Sequence, residues 1–185
     1  MGELIYTAIQ SLDGYIADEQ GDFEWAAPGE EVHAFVNELT RPLGTHLYGR
    51  RMYEVLSVWE RPDELPGMTE AMRDFADIWK AADKVVYSRT LDAVSTGRTR
   101  LEREFDPEAV RALKESSERD LAIGGPGLAA SAFRAGLVDE LQLFIAPAIV
   151  GGGTPSLPAG VRLDVELVEE RRFDGGMAYL RYRTG

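Results

Sequence analysis

The chain contains no cysteine, which excludes disulfides, thiolate zinc sites and cysteine nucleophiles together. It lacks any apolar run approaching the roughly 18 residues that a membrane span requires, so a membrane is not an expected partner. No basic segment followed by an apolar stretch opens the sequence, so no secretory signal is visible and a cytoplasmic location is the expectation. Met1-Gly2 hints at N-myristoylation, but position 6 is Tyr rather than Ser or Thr, and the motif fails. Positive net charge is missing as well. The formal charge is −12 and the pI is near 4.6, so long-range repulsion of phosphates disfavours nucleic acid as a partner. Histidine is scarce: His33 and His46 stand at no metal-ligand spacing, and neither is expected to be catalytic. Ser131 lacks a partner base in any recognisable arrangement, which removes nucleophilic catalysis.

What is present describes an ordinary globular chain. The 185 residues are 44% hydrophobic and 28% charged, with no internal repeat and no low-complexity segment, so one domain over residues 1–185 is expected. Strands are predicted at Leu4–Gln10, Thr45–Tyr48, Lys84–Ser88, Leu121–Ile123, Leu141–Ala146, Val161–Val168 and Met177–Arg183. Val161, Leu163, Val165 and Leu167 alternate with Arg162, Asp164 and Glu166, the period of a strand with one buried face. Asp174-Gly175-Gly176 then supplies the turn of a closing antiparallel hairpin. Helices are predicted between the strands: Glu31–Leu39, a stripe of Met72, Phe75, Ala76, Trp79 and Ala82, one starting at Asp106-Pro107-Glu108, and Gly127–Ala135. Thr90–Arg100 reads as loop. The alternation implies an α/β fold: a mixed, largely parallel central sheet with flanking helices and a C-terminal antiparallel hairpin.

Three turns carry the chemistry, each at a predicted strand end. Gly124-Gly125-Pro126-Gly127 lies between a strand and a helix, where glycine lets backbone approach an anion and the first helical N–H groups lack partners. Gly125 to Ala130 fits the loose pattern G-x-G-x-x-A, but the stretch where a Rossmann acid belongs, about 20 residues on, is wholly apolar at Ile145–Val150. No Gly-Lys-Ser/Thr follows, so it is not a P-loop. The alternative reading is a tight strand-to-helix connection. Gly49-Arg50-Arg51 places two guanidiniums after a strand at a helix start, suited to phosphate or else simply solvated. Ser88-Arg89 after the next strand offers the hydroxyl and guanidinium that would hold a ribose 2′-phosphate. Asp13, in Asp13-Gly14, reads either as a group that orients a polar substrate or as a turn residue. Trp25 reads either as a stacking platform or as a core anchor on a loop.

Taken in order, these residues resemble the dihydrofolate-reductase-like reductases, specifically the reductase domain of the bifunctional riboflavin-biosynthesis deaminase-reductases. The resemblance rests on Ser11-Leu12-Asp13-Gly14-Tyr15-Ile16-Ala17, Gly49-Arg50-x-x-Tyr53-Glu54, Ser88-Arg89-Thr90, Gly124-Gly125, Gly136–Leu141, and Pro147 with Gly151–Gly153. It implies an NADPH-dependent reductase, commonly dimeric, that transfers hydride to a small polar substrate with a C=N or C=O bond, pterin-like or ribosylamino-pyrimidine-like. By the same resemblance, Gly49, Arg50, Arg51 and Met52 with Ile123, Gly124, Gly125, Pro126, Gly127 and Leu128 would cradle the cofactor. Ser88 and Arg89 would take its 2′-phosphate, and Ala8 and Ile16 would line the nicotinamide. Asp13 and Glu31 are the catalytic candidates, Glu31 as the loose counterpart of the helix carboxylate of folate reductases. Met52 departs from the family pattern, which often has a threonine there, and Ala129 stands where folate reductases usually carry an aromatic. A homodimer is expected from the resemblance and from the apolar run Leu141–Val150. Two other readings stay open: an NADPH-binding sensor or assembly protein without turnover, and a flavodoxin-like or Rossmann domain with a wholly parallel sheet.

Overall fold

The computed structural model describes residues Met1–Gly185. β1 (Leu4–Gln10) and a short β2 (Tyr15–Ala17) lead to α1 (Glu30–Thr40), β3 (Thr45–Gly49), α2 (Arg50–Leu56) and α3 (Glu70–Ala81). Then come β4 (Asp83–Tyr87), β5 (Thr99–Glu102), α4 (Pro107–Ser116), β6 (Leu121–Gly124), α5 (Pro126–Arg134) and β7 (Glu140–Ile145). β8 (Thr154–Pro155), β9 (Val165–Arg172) and β10 (Ala178–Thr184) complete the chain. Eight strands form one sheet in the order β5-β4-β3-β6-β1-β7-β10-β9, and β2 pairs with β8 in a separate two-stranded ribbon. The first six of those eight are parallel, while β10 is antiparallel to both β7 and β9. That pair rules out a wholly parallel sheet.

Alternation along each strand sends side chains to two cores. Leu4 and Tyr6 of β1, Leu47 of β3, Leu121 and Ile123 of β6 and Leu141 of β7 meet Val110 of α4 and Ala132 and Phe133 of α5 on one face. On the other, Val32 and Phe35 of α1 pack on Phe144, Phe173 and Tyr179, and Trp79 of α3 packs with Tyr48 and Val86. Helix starts follow their capping residues: the Asp106 carboxylate accepts from the Glu108 N–H at 3.0 Å, and the Thr69 hydroxyl accepts from the Met72 N–H at 3.3 Å.

Two buried lysines finish this framework. Lys84 Nζ donates to the carbonyls of Trp79 (2.9 Å) and Ala82 (2.8 Å), closing the C-terminus of α3, with its ammonium 4.3 Å from the Trp79 ring centroid. Lys114 Nζ donates to the Leu137 carbonyl at 2.8 Å and lies 2.5 Å from Asp139 Oδ2. The same carboxylate oxygen accepts from the Leu4 N–H at 2.6 Å. The Gly136–Leu141 motif thus ties together α4, the start of β1 and the start of β7.

Several sequence expectations shift. β5 forms at the end of the stretch read as loop; four residues long and at the sheet edge, it is too short to show a period. The ninth strand begins at Val165 rather than Val161, and its alternating Val165 and Leu167 stay 43% and 46% exposed, because nearly the whole of β9 is uncovered. Conversely, Leu141–Ile145 lies inside the sheet between β1 and β10, so the first half of that apolar run is core, while Ile149 beyond it is 74% exposed. His33, expected on the polar side of α1, is half-buried edge-on against Phe75 (5.5 Å) and Trp59 (6.1 Å).

His46 on β3 is 2% exposed and shares a 2.7 Å hydrogen bond between Nδ1 and the Tyr48 hydroxyl. Burial, with help from the charges of Lys84 and Arg119, pushes its pKa down from 6.5 to about 4. Below pH 6.5 the unfolded chain takes up a proton that the native chain refuses. Stability therefore falls between pH 6.5 and 4, by up to about 3 kcal/mol from this group. Urea denaturation at pH 7 and pH 4.5 should show that loss, and a His46→Gln variant should show a clearly shallower pH dependence; equal slopes would exclude His46 as the source.

Candidate active site at the strand ends

Parallel strands bring the C-terminal ends of β5, β4, β3, β6, β1 and β7 to one edge, where ligands of open α/β sheets gather. Because β3 lies between β4 and β6 and β1 follows β6, the three anion-suited turns stand side by side and adjoin the end of β1. The register shows this directly: Tyr48 pairs with both Val86 and Gly124. Ser88-Arg89, Gly49–Arg51 and Gly124–Gly127, far apart in sequence, form one continuous line.

The glycines in that line are required by contact. Gly125 has φ +91°, and a Cβ there would lie 3.3 Å from Met52 Cβ; at Gly124 it would lie 3.1 Å from the Tyr48 ring. Met52 therefore roofs the diglycine turn, and Leu128 lies 3.6 Å from where a Gly49 Cβ would be. Gly125 caps α5 with no side-chain partner for its first N–H groups, leaving donors at this end of the helix. Ile123 is buried below the turn, and Pro126 occupies the first turn of α5.

The cations around the turns are held but not spent. Arg50 donates Nε to Glu54 (2.7 Å) and Nη1 to the Thr90 hydroxyl (2.8 Å), linking α2 to the loop after β4. Arg51 is exposed. Arg89 pairs with Glu104 at 3.0 Å, both side chains largely in solvent, a pairing too weak to compete with a phosphate. Ser88 is buried, and its Oγ accepts from the N–H groups of Leu91 (3.0 Å) and Thr90 (3.3 Å). Its own proton stays available. Arg103 was not foreseen from sequence: it donates to the carbonyls of Leu91 (2.5 Å) and Ser88 (3.3 Å) and fixes the 88–92 loop. Only the pairing of β5 with β4 brings it there.

Ala8 lies on β1 and Ile16 on β2, both against the first core. The β2–β8 ribbon crosses beside them: a Cβ on Gly153, φ +130°, would stand far inside contact distance of the Ala17 carbonyl oxygen, so only glycine fits. Asp13 joins the two connections by accepting from the N–H groups of Gly151 (2.7 Å) and Val150 (3.2 Å). Hydrogen bonding by Ser11, and then by these amides, holds its carboxyl below the usual range. At neutral pH it is a carboxylate in a tethering role. Glu31, in the first turn of α1, is exposed and pairs with Arg171 at 3.2 Å. Trp25 is half-buried, packs beside the second core and donates Nε1 to the Asp22 carbonyl at 3.2 Å. Beyond the turns, a network missed from sequence holds the ribbon to β1: Tyr6 donates to the Ser156 carbonyl at 2.5 Å, and Ser156 donates to Gln10.

No group of His, Asp and Glu residues is arranged to hold a metal, and no helix is long and apolar enough to cross a membrane. The family model for the RibD C-terminal domain matches residues 3–179. The uncharacterized protein YyaP of Bacillus subtilis (strain 168) is 27% identical over 179 residues, covering 93% of this chain and 89% of YyaP. Among solved structures, the diaminohydroxyphosphoribosylaminopyrimidine deaminase/5-amino-6-(5-phosphoribosylamino)uracil reductase of Thermotoga maritima superposes with a TM-score of 0.69 at 18% identity, over all of this chain and 57% of that one. Dihydrofolate reductase from Enterococcus faecalis, complexed with NADP(H), superposes with a TM-score of 0.66 at 19% identity, over all of this chain and 97% of that one. The two structures share the fold, the family match spans nearly the whole chain, and the chain belongs to the RibD C-terminal domain family.

Proposed function

We propose that this protein is an NADPH-dependent reductase acting on a small polar substrate with a C=N or C=O bond. The observation that carries the reading is the alignment of three anion-suited turns on the adjacent strands β4, β3 and β6, next to the end of β1. The family match and the NADP(H) complex of a neighbour with this fold support it. Gly124–Gly127, with Arg50 and Arg51, would hold the pyrophosphate. Ser88 and Arg89 would hold the 2′-phosphate on a loop steadied by Arg103, while Ala8 and Ile16 would bound the nicotinamide. NADPH, when bound, supplies the hydride. The chain's own contribution is alignment and exclusion of water, with Asp13 keeping the β1–β2 turn and the 150–151 turn together beside the reacting centre.

One observation favours a second reading, an NADPH-binding sensor or assembly protein without turnover. Both carboxylates named above as catalytic candidates are engaged by other groups, Asp13 by backbone amides and Glu31 by Arg171. NADPH oxidation by any member of a panel of pterins, ribosylaminopyrimidines and small imines excludes that reading.

The reading extends to a homodimer with a second copy seated on the β9–β10 face. Leu163, Val165 and Leu167 are exposed there, and the β9–β10 register places Glu170 and Arg172 on the same face as Leu167. A two-fold axis passing between these two positions would set each Glu170 against the Arg172 of the other copy, a self-complementary arrangement.

Two measurements check these statements. Arg89→Ala should raise the Kd for NADPH about tenfold and change that for NADH less than twofold, read by nicotinamide fluorescence; equal losses would remove Arg89 from the 2′-phosphate. Light scattering at micromolar concentration should give a dimer for the native chain and a monomer for Leu167→Glu, with NADPH affinity kept. A monomeric native chain would end the dimer proposal.

A further inference from the structure

The connection from β4 to β5, residues 88–98, contains neither helix nor strand, so no ladder of hydrogen bonds fixes its backbone. Its first two residues are Ser88 and Arg89. Parallel pairing sets Tyr87 opposite Glu102, so Ser88 and Arg103 step off the sheet side by side. The Ser88 N–H donates to the Glu102 carbonyl at 2.9 Å. The Ser88 carbonyl accepts from Arg103 Nη1 at 3.3 Å. The same nitrogen donates to the Leu91 carbonyl at 2.5 Å, and Nη2 donates to the Asp92 carbonyl at 3.4 Å. Every hydrogen bond that Arg103 makes therefore ends on the backbone of this one loop.

The loop is polarised as a result. Its carbonyls at Ser88, Leu91 and Asp92 turn toward the guanidinium. The N–H groups of Thr90 and Leu91 turn instead onto Ser88 Oγ, at 3.3 and 3.0 Å. With both lone pairs engaged, the buried Ser88 hydroxyl has its proton left to give, and accepting hydrogen bonds makes it a stronger donor. An anion is the acceptor that such a hydroxyl suits. Were these peptide groups free to turn, the same carbonyls could face that anion and repel it. The residue after Arg103, Glu104, pairs with the Arg89 guanidinium at 3.0 Å, and Arg50 holds the Thr90 hydroxyl at 2.8 Å from the β3 side.

We infer, resting on the reductase reading above, that Arg103 is a positioning residue that sets the preference of this site for NADPH over NADH. It touches no phosphate. It holds three carbonyls aside so that Ser88 and Arg89 meet the 2′-phosphate already arranged, with the loop ordered before binding. A forked guanidinium reaches all three carbonyls from two nitrogens, whereas a lysine ammonium is a single point and keeps only part of the set.

The test is cofactor binding to the full chain, followed by nicotinamide fluorescence with thermal melting alongside. The native chain is titrated first. Binding of neither NADPH nor NADH would overturn the reductase reading, and this inference with it. Equal binding of the two would overturn the inference and leave nicotinamide binding standing. Arg103→Ala is expected to raise the Kd for NADPH about tenfold and that for NADH less than about twofold. Arg103→Lys, which carries the same comparison if the alanine variant does not fold, should fall between it and the native chain. In a chain already carrying Ser88→Ala and Arg89→Ala, adding Arg103→Ala should change NADPH binding by less than about twofold, because a residue that acts through others adds nothing once they are gone. A further loss there would mean that Arg103 contacts the phosphate itself, and would overturn the positioning role. Equal losses of NADPH and NADH in Arg103→Ala, or unchanged binding of both, would also overturn it while leaving the reductase reading intact.

Discussion

Parallel pairing of six strands is the constraint on which the rest of this molecule depends. Each parallel neighbour requires a crossover over one sheet face, and every crossover returns the chain so that the next strand ends on the same edge. β4, β3, β6 and β1 are consecutive in space but not in sequence, so turns from four different regions meet there. The opposite edge is held by one carboxylate. Asp139 receives the Leu4 N–H and the Lys114 ammonium, and it fixes where β1 and β7 begin.

Much of this was legible in the sequence. Leu4–Gln10 matches β1 residue for residue, and Asp106-Pro107-Glu108 marks the start of α4 by local capping alone. Such signals are local: a cap, a turn or an apolar run bounded by glycine. What escaped was nonlocal. β5 and the β2–β8 ribbon are strands only because a partner lies beside them. Arg103 reaches the 88–92 loop only through that pairing, and Ser156 meets Gln10 across 146 positions of sequence. The alternation of Val161–Leu167 was real, but a period shows only that a strand has two faces; it carries no information on whether anything covers them. The placing of the three glycine- and arginine-bearing turns at strand ends was readable, because each lies next to a run with a strand pattern. The partner of Glu31 was not, since a carboxylate on the first turn of a helix gives no local sign of the arginine on β9 that it pairs with.

The gathering of arginines at one part of the sheet edge gives the net charge of −12 a local meaning. An acidic protein can still hold a strongly anionic ligand if its cations are gathered in one place, and Arg50, Arg51, Arg89 and Arg103 are gathered around the ends of β3, β4 and β5. The weak exposed pairing of Arg89 with Glu104 is consistent with that arrangement, because a surface ion pair is easily exchanged for a more highly charged ligand.

The two buried lysines carry a consequence of a different kind. The chain has only three lysines, Lys80, Lys84 and Lys114, and the last two are buried with their amines hydrogen-bonded to backbone carbonyls. Of the three lysines, an amine-reactive label applied to the native protein therefore meets Lys80 alone, and the other two become reachable when α3 and α4 detach from the sheet. Lys84 of β4 closes the end of α3 and Lys114 lies on α4, helices on opposite faces, so the order in which they take up label reports which layer opens first.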